Sequence, residues 1–84
     1  MPTVRVYVGG KPRGTIRLDD GVLSCAPADD RVLLGILSLP VVVSVPGQGL
    51  RELEPTTEPA AYFAQLPRHY RSGQGIRVVA VGEE

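Results

Sequence analysis

The stretch of residues 4–8 constrains the fold more than any other part of the sequence. Valines at positions 4, 6 and 8 alternate with Arg5 and Tyr7, and this two-residue period is typical of a β-strand with one buried and one exposed face. A chain of 84 residues has room for one hydrophobic core and no second one. We therefore expect a single domain over residues 1–84 that is built on a sheet.

Turns rich in glycine separate this strand from two further strands. Residues 9–14 contain three glycines and a proline, which predict a turn. Residues 15–18 alternate again, and the next three residues are Asp-Asp-Gly, a tight-turn signal because glycine adopts a positive φ angle at little cost. Residues 22–26 make a short third strand, so the opening third of the chain predicts a three-stranded antiparallel meander.

A first helix is expected between Pro27 and Pro40. Asp29 and Asp30 stand where acidic residues favour a helix N-terminus. Four apolar residues fall at helical spacing on one wide face: Val32, Leu33, Ile36 and Leu37. Because Pro40 cannot continue a helix, the helix ends near Ser38 or Leu39, and its apolar composition predicts almost complete burial.

The second half of the chain predicts one more helix between strands. Residues 41–45 read Val-Val-Val-Ser-Val, a continuous β-branched run that is typical of a central strand covered on both faces. Residues 50–53 are a candidate short edge strand. A threonine cap at 56 or 57, followed by Glu58 and Pro59, predicts the start of a second helix.

The second helix and the last strand complete the predicted order of elements. Tyr62, Phe63 and Leu66 share one face of that helix and are expected to pack against the sheet. Pro67 ends the helix or restarts it for one more turn, and residues 76–81 form the last strand. The predicted fold is α+β, in the order β-β-β-α-β-α-β, with a mainly antiparallel sheet and two helices packed on it.

Charge and composition exclude several classes of protein. Nine basic and nine acidic residues cancel, so no overall field attracts nucleic acid or an anionic membrane. No stretch is long and apolar enough to span a bilayer, and the first residues lack a basic region followed by an apolar one. We therefore expect no membrane association and a cytoplasmic location. Eight of the nine basic residues are arginine, a bias that suggests a bacterial, GC-rich genome.

Catalytic and cofactor motifs find little support. Cys25 is the only cysteine and His69 the only histidine, so no disulfide forms within the chain and no thiolate cluster holds a metal. A Cys25–His69 enzyme is an alternative, but a cysteine that alternates with Leu23 on a strand usually behaves as a small apolar residue. The turn at 9–14 lacks the spacing and helix of a phosphate-binding loop. We expect no catalytic residue, metal or cofactor.

The sequence Arg68-His69-Tyr70-Arg71 is the sharpest local feature. Two guanidinium groups beside an imidazole and a phenol can hold a phosphate and stack on a base. Three more cations extend the candidate surface for nucleic acid or anions if the first hairpin lies nearby: Lys11, Arg13 and Arg17. Cations in the last turn of a helix are also favoured by the helix dipole without any ligand, and we prefer that interpretation.

These observations favour a non-enzymatic interaction module, which associates with itself or docks on a partner protein. The support is a wealth of β-branched apolar residues, a sheet with edges that can accept another strand, and few polar groups suited to catalysis. The alternative is a small nucleic-acid-binding protein that uses the Arg, His and Tyr cluster.

Overall fold

A computed structural model describes residues 2–70 and 75–82 of the chain, and these residues form an α+β domain. The elements in chain order are β1 (Thr3–Val8), β2 (Lys11–Asp19), β3 (Val22–Ala26), α1 (Arg31–Ser38), β4 (Val41–Val45), β5 (Gly49–Leu53), α2 (Pro59–His69) and β6 (Ile76–Ala80). The predicted fold class is confirmed, and the candidate strand at 50–53 is present as β5. No helix in the described ranges is long and apolar enough to cross a membrane.

The predicted meander forms most of a four-stranded antiparallel sheet with the order β3-β2-β1-β6. Gly9 and Gly10 turn the chain between β1 and β2 with φ angles of 59° and 82°. Asp20 and Gly21 turn it between β2 and β3 with φ angles of 51° and 78°. Two successive positive φ angles give a turn whose twist matches that of the flanking strands, so these two dipeptides fix the register of the meander.

One face of this sheet carries the hydrophobic core. Both helices pack on that face, and their apolar side chains join those of the strands in one cluster. The buried side chains from the sheet are Val4, Val6, Ile16 and Val78, and those from the helices are Leu33, Ile36, Tyr62, Phe63 and Leu66. The opposite face of the sheet, which we call the open face, has no helix of the described residues packed on it.

A bulge in β2 lets α1 approach the sheet closely. Val6 pairs with Gly14 and Tyr7 with Pro12, so Arg13 is the extra residue. A Cβ atom on Gly14 would lie 2.3 Å from the backbone oxygen of Ala26 and 2.8 Å from the side chain of Leu33. Only a residue without a side chain fits here, because a contact under 3 Å with backbone forces the strands apart.

The prediction that residues 41–45 form a central strand is wrong. Among the residues that the structure describes, β4 pairs only with β5, in a separate two-stranded sheet that we call the hairpin. Val41 and Leu53 are buried at its base, whereas Val42 is 48% exposed and Leu50 is 78% exposed. A β-branched run indicates an apolar strand. It does not indicate whether other strands and helices of the chain cover both faces of that strand.

Both helices also differ in detail from the predictions. α1 is not almost fully buried, since Leu34 is 47% exposed while Leu33 and Ile36 are in the core. A helix of eight residues that lies on a sheet can bury only the side chains on one face. α2 begins after Glu58 without a side-chain cap, so the threonine cap is wrong, and Pro67 lies inside the helix without ending it.

The hydroxyl of Tyr62 connects the two helices. It donates to the backbone oxygen of Leu39 at 2.8 Å and to that of Ile36. Both carbonyl groups lie at the C-terminal end of α1, where a helix leaves acceptors unused, and that of Ile36 also accepts a bond from the N–H of Leu39 at 3.3 Å. Burial, with a smaller contribution from Tyr70, raises the pKa of Tyr62 to about 12. The phenol therefore remains a donor at neutral pH and fixes α1 against α2.

Candidate functional site

The predicted basic residues do not form one surface in the described structure. Arg17 follows the buried Ile16 in β2, so its side chain lies on the open face of the sheet. Arg68 and His69 lie in α2, which packs on the other face. The sheet therefore separates Arg17 from the end of the second helix, and the expected extension of the cluster by the first hairpin is not formed there.

Arg13 has a structural partner at the start of α1. The bulge directs its guanidinium to Asp30, with 2.7 Å between Nε and Oδ2. Asp30 also caps the helix by accepting bonds from the N–H groups of Val32 and Leu33, at 2.9 and 3.1 Å. Partial desolvation raises the pKa of Asp30, but the hydrogen bonds and the charge of Arg13 outweigh it, so the pKa lies below its usual range.

The remaining predicted residues have separate surroundings. Lys11 is exposed at the start of β2, where it pairs with Val8. Tyr70 is half-buried, and burial raises the pKa of its hydroxyl. Its backbone oxygen accepts a bond from the N–H of Val78 at 2.9 Å, and its ring meets that of His69 edge-on at 4.8 Å. Arg71 lies outside the described residues.

The open face holds an arginine-rich surface that the sequence analysis missed. Tyr7 pairs with Arg77 across β1 and β6, and the Arg77 guanidinium lies 5.6 Å from the centre of the Tyr7 ring. Arg5 and Arg17 point to the same side of the sheet. The alternation that directs the valines of β1 to the core directs Arg5 and Tyr7 to the open face. Arg77 lies next to Tyr7 only because β1 pairs with β6.

A groove runs between β4 and α2. It has a volume of about 430 Å³, and its lining consists of every residue of β4, Pro46, and Gln65, Arg68 and His69 of α2. Consecutive residues of β4 line the groove, whereas no residue of β5 does, so the groove follows the edge of β4 that faces away from β5. We call this site the β4 groove.

The edge of β4 exposes unused hydrogen-bonding groups. In an antiparallel pair, alternate residues of a strand direct their N–H and C=O groups away from the partner strand. Within the described ranges, β5 is the only strand paired with β4, and no other backbone group bonds to residues 41–44. The edge of β6 differs, because the oxygen of Tyr70 occupies the N–H of Val78.

The described lining of the β4 groove contains basic residues and no acidic one. Arg68 and His69 line its helical wall. β4 itself carries no charged side chain. On the other side of the hairpin, Arg51 donates to Glu58 in an ion pair that ties β5 to the start of α2. The β4 groove therefore combines an apolar strand, a backbone edge and a basic wall.

Cys25 has the surroundings of a structural residue. Its Sγ lies 3.5 Å from the oxygen of Pro27 and 3.9 Å from that of Ala28, as a donor to these backbone groups. Desolvation, followed by the charges of Asp30 and Asp29, raises the pKa of the thiol, whereas an activated nucleophile needs a lowered one. Among residues 2–70 and 75–82, no group of three or more His, Cys, Asp and Glu side chains is placed to hold a metal ion.

Comparisons of the sequence and the structure with protein-family models, curated proteins and solved structures find no match.

Proposed function

We propose that this protein is a non-catalytic interaction module that binds another polypeptide by strand addition to the edge of β4. The observation that carries the proposal is the disagreement between the composition of β4 and its position. Its valine run is typical of a strand with neighbours on all sides, yet it has one strand partner in the described structure. A bound polypeptide supplies the neighbour that this composition favours.

The energetics of strand addition suit this edge. Each backbone bond to an added strand contributes about 0.5–1.5 kcal/mol net, and a valine or leucine that becomes buried contributes about 1.5–3 kcal/mol. Val42 and Leu50 are the exposed apolar side chains of the hairpin's outer face, and an added strand lies directly beside Val42. Several such terms are needed to offset the cost of ordering a flexible segment.

β4 itself lacks the charged residues and proline by which proteins usually protect an edge from other chains. Exposed edge strands usually carry charged residues or proline, or are covered by another segment. Residues 41–45 contain neither a charge nor a proline. The edge of β6, in contrast, is occupied at Val78 by the chain that follows α2. We interpret the unprotected edge as a selected property of the hairpin.

Selection from a displayed library of random peptides tests the proposal. We expect extended, apolar-containing peptides to be selected by the protein and to lose binding to Val42→Lys, because a lysine at the edge opposes strand addition. The matched control is Val22→Lys, which changes an exposed valine, 64% against 48% for Val42, on an edge strand of the other sheet. A library that yields no binder, together with a monomeric mass at all concentrations, would contradict the proposal.

A second candidate function, binding of single-stranded nucleic acid, is favoured by the Arg77–Tyr7 pair on the open face. Sheets with exposed aromatic residues stack bases, and arginines beside them contact phosphates. Fluorescence anisotropy with a labelled oligonucleotide tests this function at low and high salt. We expect Tyr7→Ala and Arg77→Ala to weaken salt-dependent binding, while Arg31→Ala in α1 leaves it unchanged. Absence of binding at low salt would reject this candidate.

A further inference from the structure

The helical wall of the β4 groove indicates what kind of segment the site accepts. The wall is formed by Gln65 and by the residues three and four positions after it in α2, Arg68 and His69. This spacing places the three side chains in one stripe along the helix. All three line the groove opposite β4. The stripe carries an amide, a guanidinium and an imidazole group, and the groove has no acidic residue in its described lining.

We propose that the segment added to β4 is an extended peptide from another protein that carries acidic side chains, an inference that rests on the proposed strand addition. Side chains of an added strand alternate between the two faces of the sheet. Those on the α2 side meet the stripe, where carboxylates are the complementary groups. Those on the other side lie beside Val42, where apolar groups are favoured. The ligand pattern is therefore acidic and apolar in alternation.

The shape of the groove favours a single extended segment over a second folded copy. α2 borders the edge of β4, and a volume of about 430 Å³ lies within the range of sites for small ligands and short segments. A second copy would have to bring a strand to this edge together with the layers that pack on that strand. A peptide brings no such layers and therefore needs less space beside α2.

Anisotropy with three labelled heptapeptides tests this inference. The first alternates glutamate with valine, and the other two replace every glutamate by glutamine or by lysine. We expect the glutamate peptide to bind at least about tenfold more tightly than the glutamine peptide, since a charge-assisted bond is worth about 1.5–3 kcal/mol and 1.4 kcal/mol is a factor of ten. We expect Arg68→Gln and His69→Gln each to reduce this preference, with urea unfolding as the check that both variants fold.

Methylation of the peptide backbone identifies strand addition itself. Alternate amides of an added strand face β4. N-methylation of every second residue of the glutamate peptide can therefore follow two patterns, and the pattern that blocks the amides facing β4 is expected to abolish binding. The other pattern is expected to leave binding unchanged, because the amides that it methylates face solvent. Equal effects of the two patterns would contradict strand addition.

The outcomes separate the two proposals. Equal binding of the three peptides, lost in Val42→Lys, would overturn the acidic preference and retain strand addition. No binding of any peptide to a monomeric protein would contradict both. A mass that rises with protein concentration without peptide, and returns to the monomer in Val42→Lys, would overturn the acidic peptide and identify a second copy as the occupant.

Discussion

β1 and β4 are both rich in valine, but the fold uses them in opposite ways. β1 alternates valine with polar residues and lies inside the four-stranded sheet, with β2 on one side and β6 on the other. β4 has four valines and one serine, and β5 is its single strand partner within residues 2–70 and 75–82. Val4 and Val6 of β1 are almost completely buried, whereas Val42 of β4 is about half exposed.

The comparison shows that apolar content and burial are separate properties of a strand. β1 carries as many apolar side chains as its position can bury, and its polar residues lie on the open face. β4 carries more apolar surface than the described residues cover. Single exposed apolar side chains are common on protein surfaces. In β4 the exposed Val42 and the partly exposed Val43 and Val45 lie beside an edge with which no described strand pairs, and this combination is the reason to expect a partner there.

The largest expected difference in stability is between two variants that carry the same substitution, one in β1 and one in β4. Val6→Lys places an unpaired charge in a site with no exposed surface, and we expect a loss of more than about 4 kcal/mol, enough to unfold a domain of this size. Val42→Lys faces Glu52 across the hairpin and is expected to change stability by less than about 0.5 kcal/mol. Urea unfolding measures both, and equal losses would remove the basis of the comparison.

Gly14→Ala is expected to have the next largest effect, because its Cβ would collide with the backbone of Ala26 and with Leu33. Overpacking of this kind costs about 1–3 kcal/mol. Gly35→Ala is the matched control, since no atom lies within 4 Å of a Cβ at that position in α1. There we expect a gain of about 0.5–1 kcal/mol from helix propensity. Thermal unfolding of both variants tests the opposite signs.

Tyr62→Phe is expected to cost about 1–2 kcal/mol, because it removes the hydroxyl donor from the carbonyls of Ile36 and Leu39, of which only that of Ile36 keeps a backbone donor. The same side chain predicts a dependence on alkaline pH. Its pKa in the folded protein is about 12 and about 10 in an unfolded chain, so the unfolded state loses its proton first. Stability is therefore expected to fall as pH rises from about 10 to about 12.

Urea unfolding at several pH values measures the slope of the free energy of unfolding against pH. Tyr62→Phe is expected to reduce the slope without abolishing it, because the raised pKa of Tyr70 acts in the same direction. A variant with the full slope of the original protein would show that Tyr62 is not the group that titrates.

Leu50→Gln is expected to have the smallest effect. Leu50 is the most exposed large apolar residue described, at 78%, and such surface substitutions usually change stability by less than about 0.5 kcal/mol. Differential scanning calorimetry measures the change. A loss above about 1 kcal/mol would mean that the outer face of the hairpin stabilises the isolated chain, so that its apolar residues need no partner.

The sequence predicts those parts of the fold that depend on neighbouring residues. The meander follows from alternation and from the glycines between β1, β2 and β3, because turn geometry and strand period are local properties. The buried face of α2 with Tyr62, Phe63 and Leu66 is likewise confirmed. Local patterns do not specify which strands become neighbours, and the interpretation of β4 as a central strand is wrong for that reason.

The candidate site depends on contacts between distant parts of the chain. The sequence marked Arg68 and His69 as candidate contacts, and it marked β4 as unusually apolar. Nothing local indicates that α2 and the edge of β4 form two walls of one groove, since this arrangement requires the packing of both on the sheet. The Arg77–Tyr7 pair depends in the same way on the pairing of the first strand with the last.

The contact at Gly14 also has a consequence for how this fold can diverge. Glycines at the hairpin turns serve the backbone conformation, which asparagine or aspartate also adopts, as Asp20 does here. Gly14 instead serves a close approach of other atoms to its own backbone, because a Cβ there would collide with the backbone oxygen of Ala26 in β3 and with the side chain of Leu33 in α1. In chains that share this architecture, we expect the turn glycines to vary while the glycine of the β2 bulge persists. Gly14 follows Arg13, which bonds to Asp30 at the start of α1. This arrangement is a signature by which distant chains with the same fold can be found.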